Sequence, residues 1–381
     1  MRILIVHSRY RSGAISGENA VVRDEAELLR RGGHDVHELS LDPPDAELAR
    51  ARMGLRTTWS TAAVRRVRSM IRRGIDVVHA HNLFPMLSPA VLRVGSEEGA
   101  AVVMTLHNYR LLCLAATFFR DGATCEACLG RQPWPGVRYS CYRDNRMASA
   151  ALASSIVVHR FARTFDKVDR FLAVSAFVRT KHLEAGFDPA RIVVKPNFNW
   201  PMPERVGTGD YFLYLGRLSP EKGAAWLAER WRPELGRLVV AGDGPDAPIL
   251  RAAAHRSVEW RGGVAPQDVP GLLTQARALL VPSRSYEGAS RTLVEANAAG
   301  VPVIAGRIGS LVEHVENEVS GLLVDPTDEA AWLDAVTRLN DATVSRSLGE
   351  GARSLWAERF SPERSLHALE EIYEGARTAP G

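Results

Sequence analysis

Short apolar runs recur along the chain, each closed by a glycine, a proline or a small polar residue. In the first half they lie at 2–7 (RILIVH), 35–41, 76–81, 101–107, 170–175 and 191–195. In the second half they lie at 211–216 (YFLYLG), 237–241, 257–260, 278–282, 301–305 and 321–324. Runs of this length, with apolar residues at consecutive positions, read as strands buried on both faces. Between several of them, as at 18–31 and 58–73, apolar residues return at helical spacing. Strands alternating with helices predict a parallel, doubly wound α/β sheet, and the pattern runs twice. The stretch 196–210, PNFNWPMPERVGTGD, is rich in proline and glycine and reads as a linker. A chain of 381 residues also exceeds the ~250–300 at which single cores stop growing. The expected organisation is a first domain over 1–196 with an insertion at 109–146, a linker over 197–210, and a second domain over 211–360. A terminal helix over 361–381 follows, opened by Ser361 and Pro362 as cap and first-turn proline.

The chemistry concentrates at strand ends, where ligands bind in such sheets. In the stretch 279–303, LLVPSRSYEGASRTLVEANAAGVPV, Pro282 and Ser283 break a strand and a loop carries Glu287 and Gly288. Ser290 to Ala299 reads as a helix, closed by Gly300 with Pro302 beyond. Free amides around Ala289 to Arg291 can face a diphosphate. Glu287 and Glu295 can each accept two hydrogen bonds from a ribose diol or sugar hydroxyls. After the run 211–216 comes Gly216-Arg217-Leu218-Ser219-Pro220-Glu221-Lys222-Gly223, in which Ser219 and Pro220 are expected to open a helix with Lys222 in its first turn. Two cations beside a helix start suit an anion. A Gly242-Asp243-Gly244-Pro245 turn follows the next strand, and a glycine-bearing loop, Ser12 to Glu18 with Gly17 before a helix, follows the first. That loop is not Gly-x-Gly-x-x-Gly, which argues against an NAD-dependent oxidoreductase. No Asp-x-Asp and no P-loop motif occurs.

The Glu287-x7-Glu295 pair and the Gly-Arg-Leu-x-x-x-Lys-Gly segment at 216–223 resemble the signatures of retaining glycosyltransferases of the GT-B fold, the group 1 or family 4 type. The resemblance covers nearly the whole chain, most firmly 211–325. It implies two Rossmann-like domains facing a central cleft, with the first on the acceptor side and the terminal helix crossing back to it. It implies transfer of a sugar, with retention, from a UDP- or GDP-type donor to a carbohydrate or lipid-linked acceptor in polysaccharide or glycoconjugate synthesis. Arg217 and Lys222 would hold the diphosphate, Glu295 the ribose, and Glu287 the sugar hydroxyls. Gly216, Gly242, Gly244, Gly288, Ala289 and Ser290 would line the donor site, with Gly17 in the loop that closes over it. His107, after the fourth strand, would touch the donor sugar; His79 and His81 are further candidates. Without Asp-x-Asp, cations and helix ends would replace a divalent metal, and no cofactor is expected. Two departures, Gly288-Ala289-Ser290-Arg291 after the first acid and Asn197-Phe198 in the linker, leave the donor sugar open. A sugar-nucleotide epimerase and a non-catalytic nucleotide-binding scaffold are the alternatives.

Charge and cysteines add to this picture. Residues 1–200 carry 29 Lys and Arg against 19 Asp and Glu, while the remainder carries 19 against 25, so an anionic partner suits the first half. The stretch 58–74 is a basic amphipathic helix with Arg65, Arg66, Arg68, Arg72 and Arg73, and 147–165 is amphipathic too. Either can lie on an anionic membrane, or pack as an ordinary surface helix. Aromatics are not interleaved with the basic residues, which argues against nucleic acid. The N-terminus, MRILIVHS, reads as a first strand rather than a signal peptide, giving a cytoplasmic expectation, peripheral at the inner face of the plasma membrane. Cys113, Cys125, Cys128 and Cys141 fall in one segment, either as a structural zinc site or as free thiols.

Overall fold

The computed structural model describes residues 1–10, 17–42, 53–253 and 257–378. The loop residues Ser12 to Ser16 thus lie outside the described residues. The chain divides into two compact units. The first comprises Met1–Phe118, Glu126–Pro196 and Ser365–Gly381; the second comprises Phe119–Cys125 and Asn197–Arg364.

The first unit is built on β1 (Arg2–Ser8), β2 (Asp35–Leu41), β3 (Val77–Ala80), β4 (Ala101–Leu106), β7 (Arg170–Ala173) and β8 (Ile192–Val194), all parallel, in the order β2-β1-β3-β4-β7-β8. Nearly every residue of β1, β3 and β4 is buried, as runs without alternation require when helices cover both faces. The second unit carries β9 (Tyr211–Leu215), β10 (Leu238–Ala241), β11 (Val258–Gly262), β12 (Ala276–Val281), β13 (Val303–Gly306) and β14 (Gly321–Val324) in the order β11-β10-β9-β12-β13-β14, again parallel. A two-stranded ribbon, β5 (Phe119–Arg120) with β6 (Ala123–Thr124), completes the sheets. The doubly wound α/β class read from the apolar runs is therefore the observed one, in both units.

Three local expectations change. Ser219 and Pro220 do not open an α-helix. Pro220–Lys222 is a single 3-10 turn, Gly223 follows at φ 73°, and the helix proper is Ala224–Arg230. The Ser219 hydroxyl caps no amide; it donates to the Glu221 carboxylate at 2.6 Å. The stretch 58–74 is not one helix: Met53–Thr58 and Thr61–Ile71 are separated at Trp59 and Ser60, because the Ser60 hydroxyl accepts from the Ala63 amide and starts a new helix. Its basic face is also partly neutralised, since Arg68 pairs with Glu97 and Glu98, and Arg72 with Glu98. Third, none of the four cysteines is joined in a disulfide. Among the described residues no three cysteine sulfurs converge as metal ligands would, so the zinc expectation at Cys113, Cys125, Cys128 and Cys141 has no geometric support.

Candidate active site

In the second unit the strand order reverses between β9 and β12, and the two loops that follow these strands carry the predicted residues. Such a switch point leaves a crevice beyond the strand ends that suits a ligand. The loops are locked by backbone. The Arg284 amide donates to the Glu221 carbonyl at 2.8 Å, and Gly223 packs so closely on Pro282 that a Cβ there would lie 2.1 Å from its carbonyl oxygen. This apposition delivers the Lys222 ammonium to both Glu287 oxygens, at 2.6 and 2.8 Å. The Ser283 hydroxyl donates to the same carboxylate at 2.5 Å. Glu287 is 8% exposed. Burial pushes its pKa up, but Lys222 and the two kinds of hydrogen bond outweigh that, so the carboxyl lies below its ordinary value and stays ionised. Arg217 is exposed, with no ion pair to its guanidinium among the described residues.

The glycine turn has a structural task. A Cβ at Gly242 would stand 1.8 Å from the Gly216 carbonyl oxygen, and one at Gly244 2.2 Å from that of Leu218. The Leu218 amide donates to the Asp243 carbonyl at 2.9 Å. Gly242 and Gly244 thus seat the backbone that presents Arg217 at the tip of β9. Beyond β12, Ser290 precedes the helix Arg291–Ala298, whose first amides have no intrahelical acceptor. The Ser290 hydroxyl does not cap them; it pairs with the Thr292 hydroxyl at 3.2 Å. Gly288 and Ala289 lead into this start, half-buried. Glu295, one turn in, is 9% exposed and receives the Arg291 guanidinium at 2.8 Å. Gly300, at φ 68°, closes the helix as read from the sequence.

The first unit holds a second constellation, at the ends of β1, β3 and β4. The helix Gly17–Arg31 starts at Gly17 itself. His79 and His81 flank Glu25, which is 1% exposed, with His79 Nδ1 at 3.2 Å and His81 Nε2 at 3.5 Å from its Oε1. The Lys195 ammonium holds the other oxygen at 2.8 Å. His79 also meets the Tyr373 hydroxyl and the Thr105 hydroxyl, both at 2.8 Å. His81 Nδ1 lies 2.8 Å from His107 Nε2. Burial, partly offset by the Glu25 carboxylate, holds His79 down to about 4 and His107 down to about 3, so both are neutral at pH 7. His107 lines a small cavity with Glu18, Asn82, Met104, Asn108 and Arg110. Glu18, which accepts from the Tyr10 hydroxyl and the Asn108 amide at 3.1 Å each, is pushed up to about 7 by burial.

Sequence reasoning missed Glu25, Lys195, Tyr373, Ser283 and the partner Arg291. A signal existed for Glu25: it stands on the apolar stripe of Val21, Val22, Leu28 and Leu29, where a carboxylate without a partner is too costly to bury. Arg291 and Glu295 are at i,i+4 spacing. Nothing near Lys195 or Tyr373 in sequence announces partners 170 and 294 residues away.

Solved structures share this architecture. Sucrose-phosphate synthase of Thermosynechococcus elongatus superposes with a TM-score of 0.70 at 18% identity, covering 98% of each chain. HepE of Anabaena, solved in complex with UDP, superposes with a TM-score of 0.65 at 19% identity over 98% of this chain and all of that one. The fold is GT-B, the class defined by paired Rossmann-like units. Residues 15–198 match the family described as Glycosyltransferase Family 4, and residues 209–341 match Glycosyl transferases group 1. D-inositol 3-phosphate glycosyltransferase of Acidothermus cellulolyticus is 30% identical over 83% of this chain and 71% of its own length. A GDP-mannose-dependent α-(1-6)-phosphatidylinositol monomannoside mannosyltransferase of Mycolicibacterium smegmatis is 31% identical over 52% of this chain and 57% of its own. The chain belongs to the group 1, family 4 glycosyltransferases, and its activity is sugar transfer.

Proposed function

We propose that the protein transfers a sugar, with retention and without a catalytic metal, from a UDP- or GDP-linked donor to a hydroxyl of a polyol, carbohydrate or lipid-linked acceptor. The observation that carries this is the Lys222–Glu287 pair beside the exposed Arg217 at the switch point of the second unit. In this reading the donor diphosphate lies against Arg217, Lys222 and the amides that open the helix Arg291–Ala298. As the glycosidic bond lengthens, negative charge grows on the leaving phosphate, and these groups stabilise it. The leaving oxygen takes the acceptor proton on the same face of the sugar, so no enzymic nucleophile is needed. Glu295 holds the ribose diol, with Arg291 fixing its orientation. Glu287, held ionised by Lys222, accepts from donor-sugar hydroxyls, and Gly216, Gly242 and Gly244 shape the floor. In the first unit, His107, which lines the small cavity, is the candidate for reading a sugar hydroxyl, and Gly17 opens the helix Gly17–Arg31. The GDP-mannose-dependent relative and the UDP complexes of HepE support the two donor classes, and the inositol-phosphate relatives support a polyol acceptor.

A role at a membrane has its own observation. On the helix Arg146–Phe161, Met147, Val158 and Phe161 are 80%, 45% and 77% exposed and fall on one face at 3.6 residues per turn. Exposed Arg131, Arg138, Arg143 and Arg146 and the half-exposed Trp134 and Tyr139 share this region of sequence. Apolar and aromatic residues interspersed with arginine suit an anionic interface at the inner face of the membrane. No helix among the described residues is long and apolar enough to cross a membrane. The test of function is release of UDP or GDP from a panel of nucleotide sugars, with the anomeric configuration of the product read by NMR. An inverted product, or no release with any donor, overturns the reading.

A further inference from the structure

We infer that Glu25, acting through His81, fixes the tautomer of His107 so that His107 Nδ1 faces the cavity as a hydrogen-bond acceptor. This rests on the proposed role of His107 in sugar transfer. The two imidazoles share one proton across 2.8 Å, so only two arrangements exist. In one, His81 Nδ1–H donates to His107 Nε2, which leaves the lone pair of His81 Nε2 turned on the Glu25 Oε1 carboxylate, 3.5 Å away and buried. In the other, His107 Nε2–H donates to His81 Nδ1, and the protonated His81 Nε2 turns a positive edge rather than a lone pair to Glu25 Oε1 at 3.5 Å, a charge–dipole contact and not a hydrogen bond. The first sets two electron-rich buried atoms against each other with nothing between them, and the second removes that cost. The Lys195 ammonium, on the other carboxylate oxygen, keeps Glu25 ionised, so the preference persists. Lys195 also argues against a cation among Glu25, His79 and His81, whose ligand atoms lie within 4.8 Å of one another.

The consequence is selective. The His107 ring lines the cavity, and no described residue bonds its Nδ1. A bare Nδ1 accepts from a sugar or acceptor hydroxyl and repels a phosphate oxygen, which needs a donor. Glu25 and His81 are therefore positioning residues for a hydroxyl-reading histidine. Glu25→Gln has the same shape, but its amide can donate to His81 Nε2, which reverses the whole chain and leaves His107 carrying Nδ1–H.

The test is the ¹⁵N spectrum of histidine-labelled, full-length protein at pH 7, with His107 assigned from the signal lost in His107→Ala. Wild type should show His107 protonated at Nε2 alone. Glu25→Gln should show protonation at Nδ1, with kcat reduced at least tenfold. If Glu25→Gln does not fold because Lys195 loses its partner, the Glu25→Gln/Lys195→Met double variant takes its place. His107 protonated at Nδ1 in wild type, the same tautomer in both proteins, or stoichiometric zinc on the cluster overturns the inference. Should the tautomers be as expected while His107→Ala transfers sugar at the wild-type rate, the tautomer assignment stands and the functional reading of His107 falls.

Discussion

Arg217 is exposed and makes no ion pair among the described residues, whereas Lys222 is bound to the buried Glu287 carboxylate. Their alanine variants should therefore behave differently, although the proposed function gives both cations the same phosphates. Arg217→Ala should lower turnover 10²–10³-fold, by analogy with the loss of an oxyanion donor, at an unchanged melting temperature. Lys222→Ala should lose turnover and stability together, because it strands a buried carboxylate. Steady-state kinetics beside thermal melts separate the two, and wild-type turnover in Arg217→Ala would remove it from the site. Glu295→Gln keeps its shape but weakens two charge-assisted bonds to a ribose, each worth ~1.5–3 kcal/mol. Calorimetric titration with the nucleoside diphosphate should show weaker binding, and an unchanged affinity would mean that Glu295 is not the ribose ligand.

Two elements carry predictions of their own. The 3-10 turn Pro220–Lys222 reaches Glu287 only because Gly223 lies against the Pro282 carbonyl. Gly223→Ala adds a methyl where no room exists, in a conformation that disfavours it, and should cost about 1–3 kcal/mol while parting Lys222 from Glu287. A lower melting temperature with a parallel loss of turnover is expected, and an unaltered protein would show that the two loops move independently. The second element is the helix Arg146–Phe161. Met147→Asp/Phe161→Asp should abolish sedimentation with anionic vesicles, whereas replacing Arg68 and Arg72, already paired with Glu97 and Glu98, should leave it unchanged. Vesicle binding by neither wild type nor variants would make this face an ordinary solvated one.

At the scale of the whole molecule, buried histidines set the response to acid. Burial holds His7, His79, His81, His107, His159, His182 and His314 below the ordinary value, with His182 at about 4 beside His79 at about 4 and His107 at about 3. A depressed histidine is neutral in the folded chain and charged in the unfolded one between its folded pKa and about 6.5, so the unfolded state binds more protons there and stability falls as pH falls. Glu18, pushed up to about 7, works the other way between about 4.3 and 7, and Asp169 and Asp246, also raised by burial, act with the same sign just above the ordinary carboxylate value, but these are three groups against seven. Glu25 and Glu287, both held low, add their loss below about 4.3. The melting temperature should be level near pH 7–8 and decline from about pH 6.5 downward, and a profile flat to pH 4.5 would contradict the neutral, buried histidines. Transfer should also survive excess EDTA in the assay if, as proposed, Arg217, Lys222 and the helix amides supply the charge that a metal would. Recovery only on adding Mg²⁺ or Mn²⁺ would show a metal clamp on the diphosphate.

By itself the sequence determined whatever depends on short range. Consecutive apolar residues specify buried parallel strands, and both sheets follow from them. The motifs at 216–223 and 287–295 are contiguous, so their residues and spacing are legible along the chain itself. The 3-10 turn at Pro220 is not, because a Ser-Pro start reads alike whether an α-helix or one tight turn follows, and the backbone packed on Gly223 decides between them. Only the tertiary structure joined Lys222 to Glu287, 65 residues apart, and Glu25 to Lys195, 170 residues apart. Charges so distant in sequence leave no periodicity or spacing to read. Their pairing depends on strand order, and strand order arises from long-range packing that no local window of the chain contains.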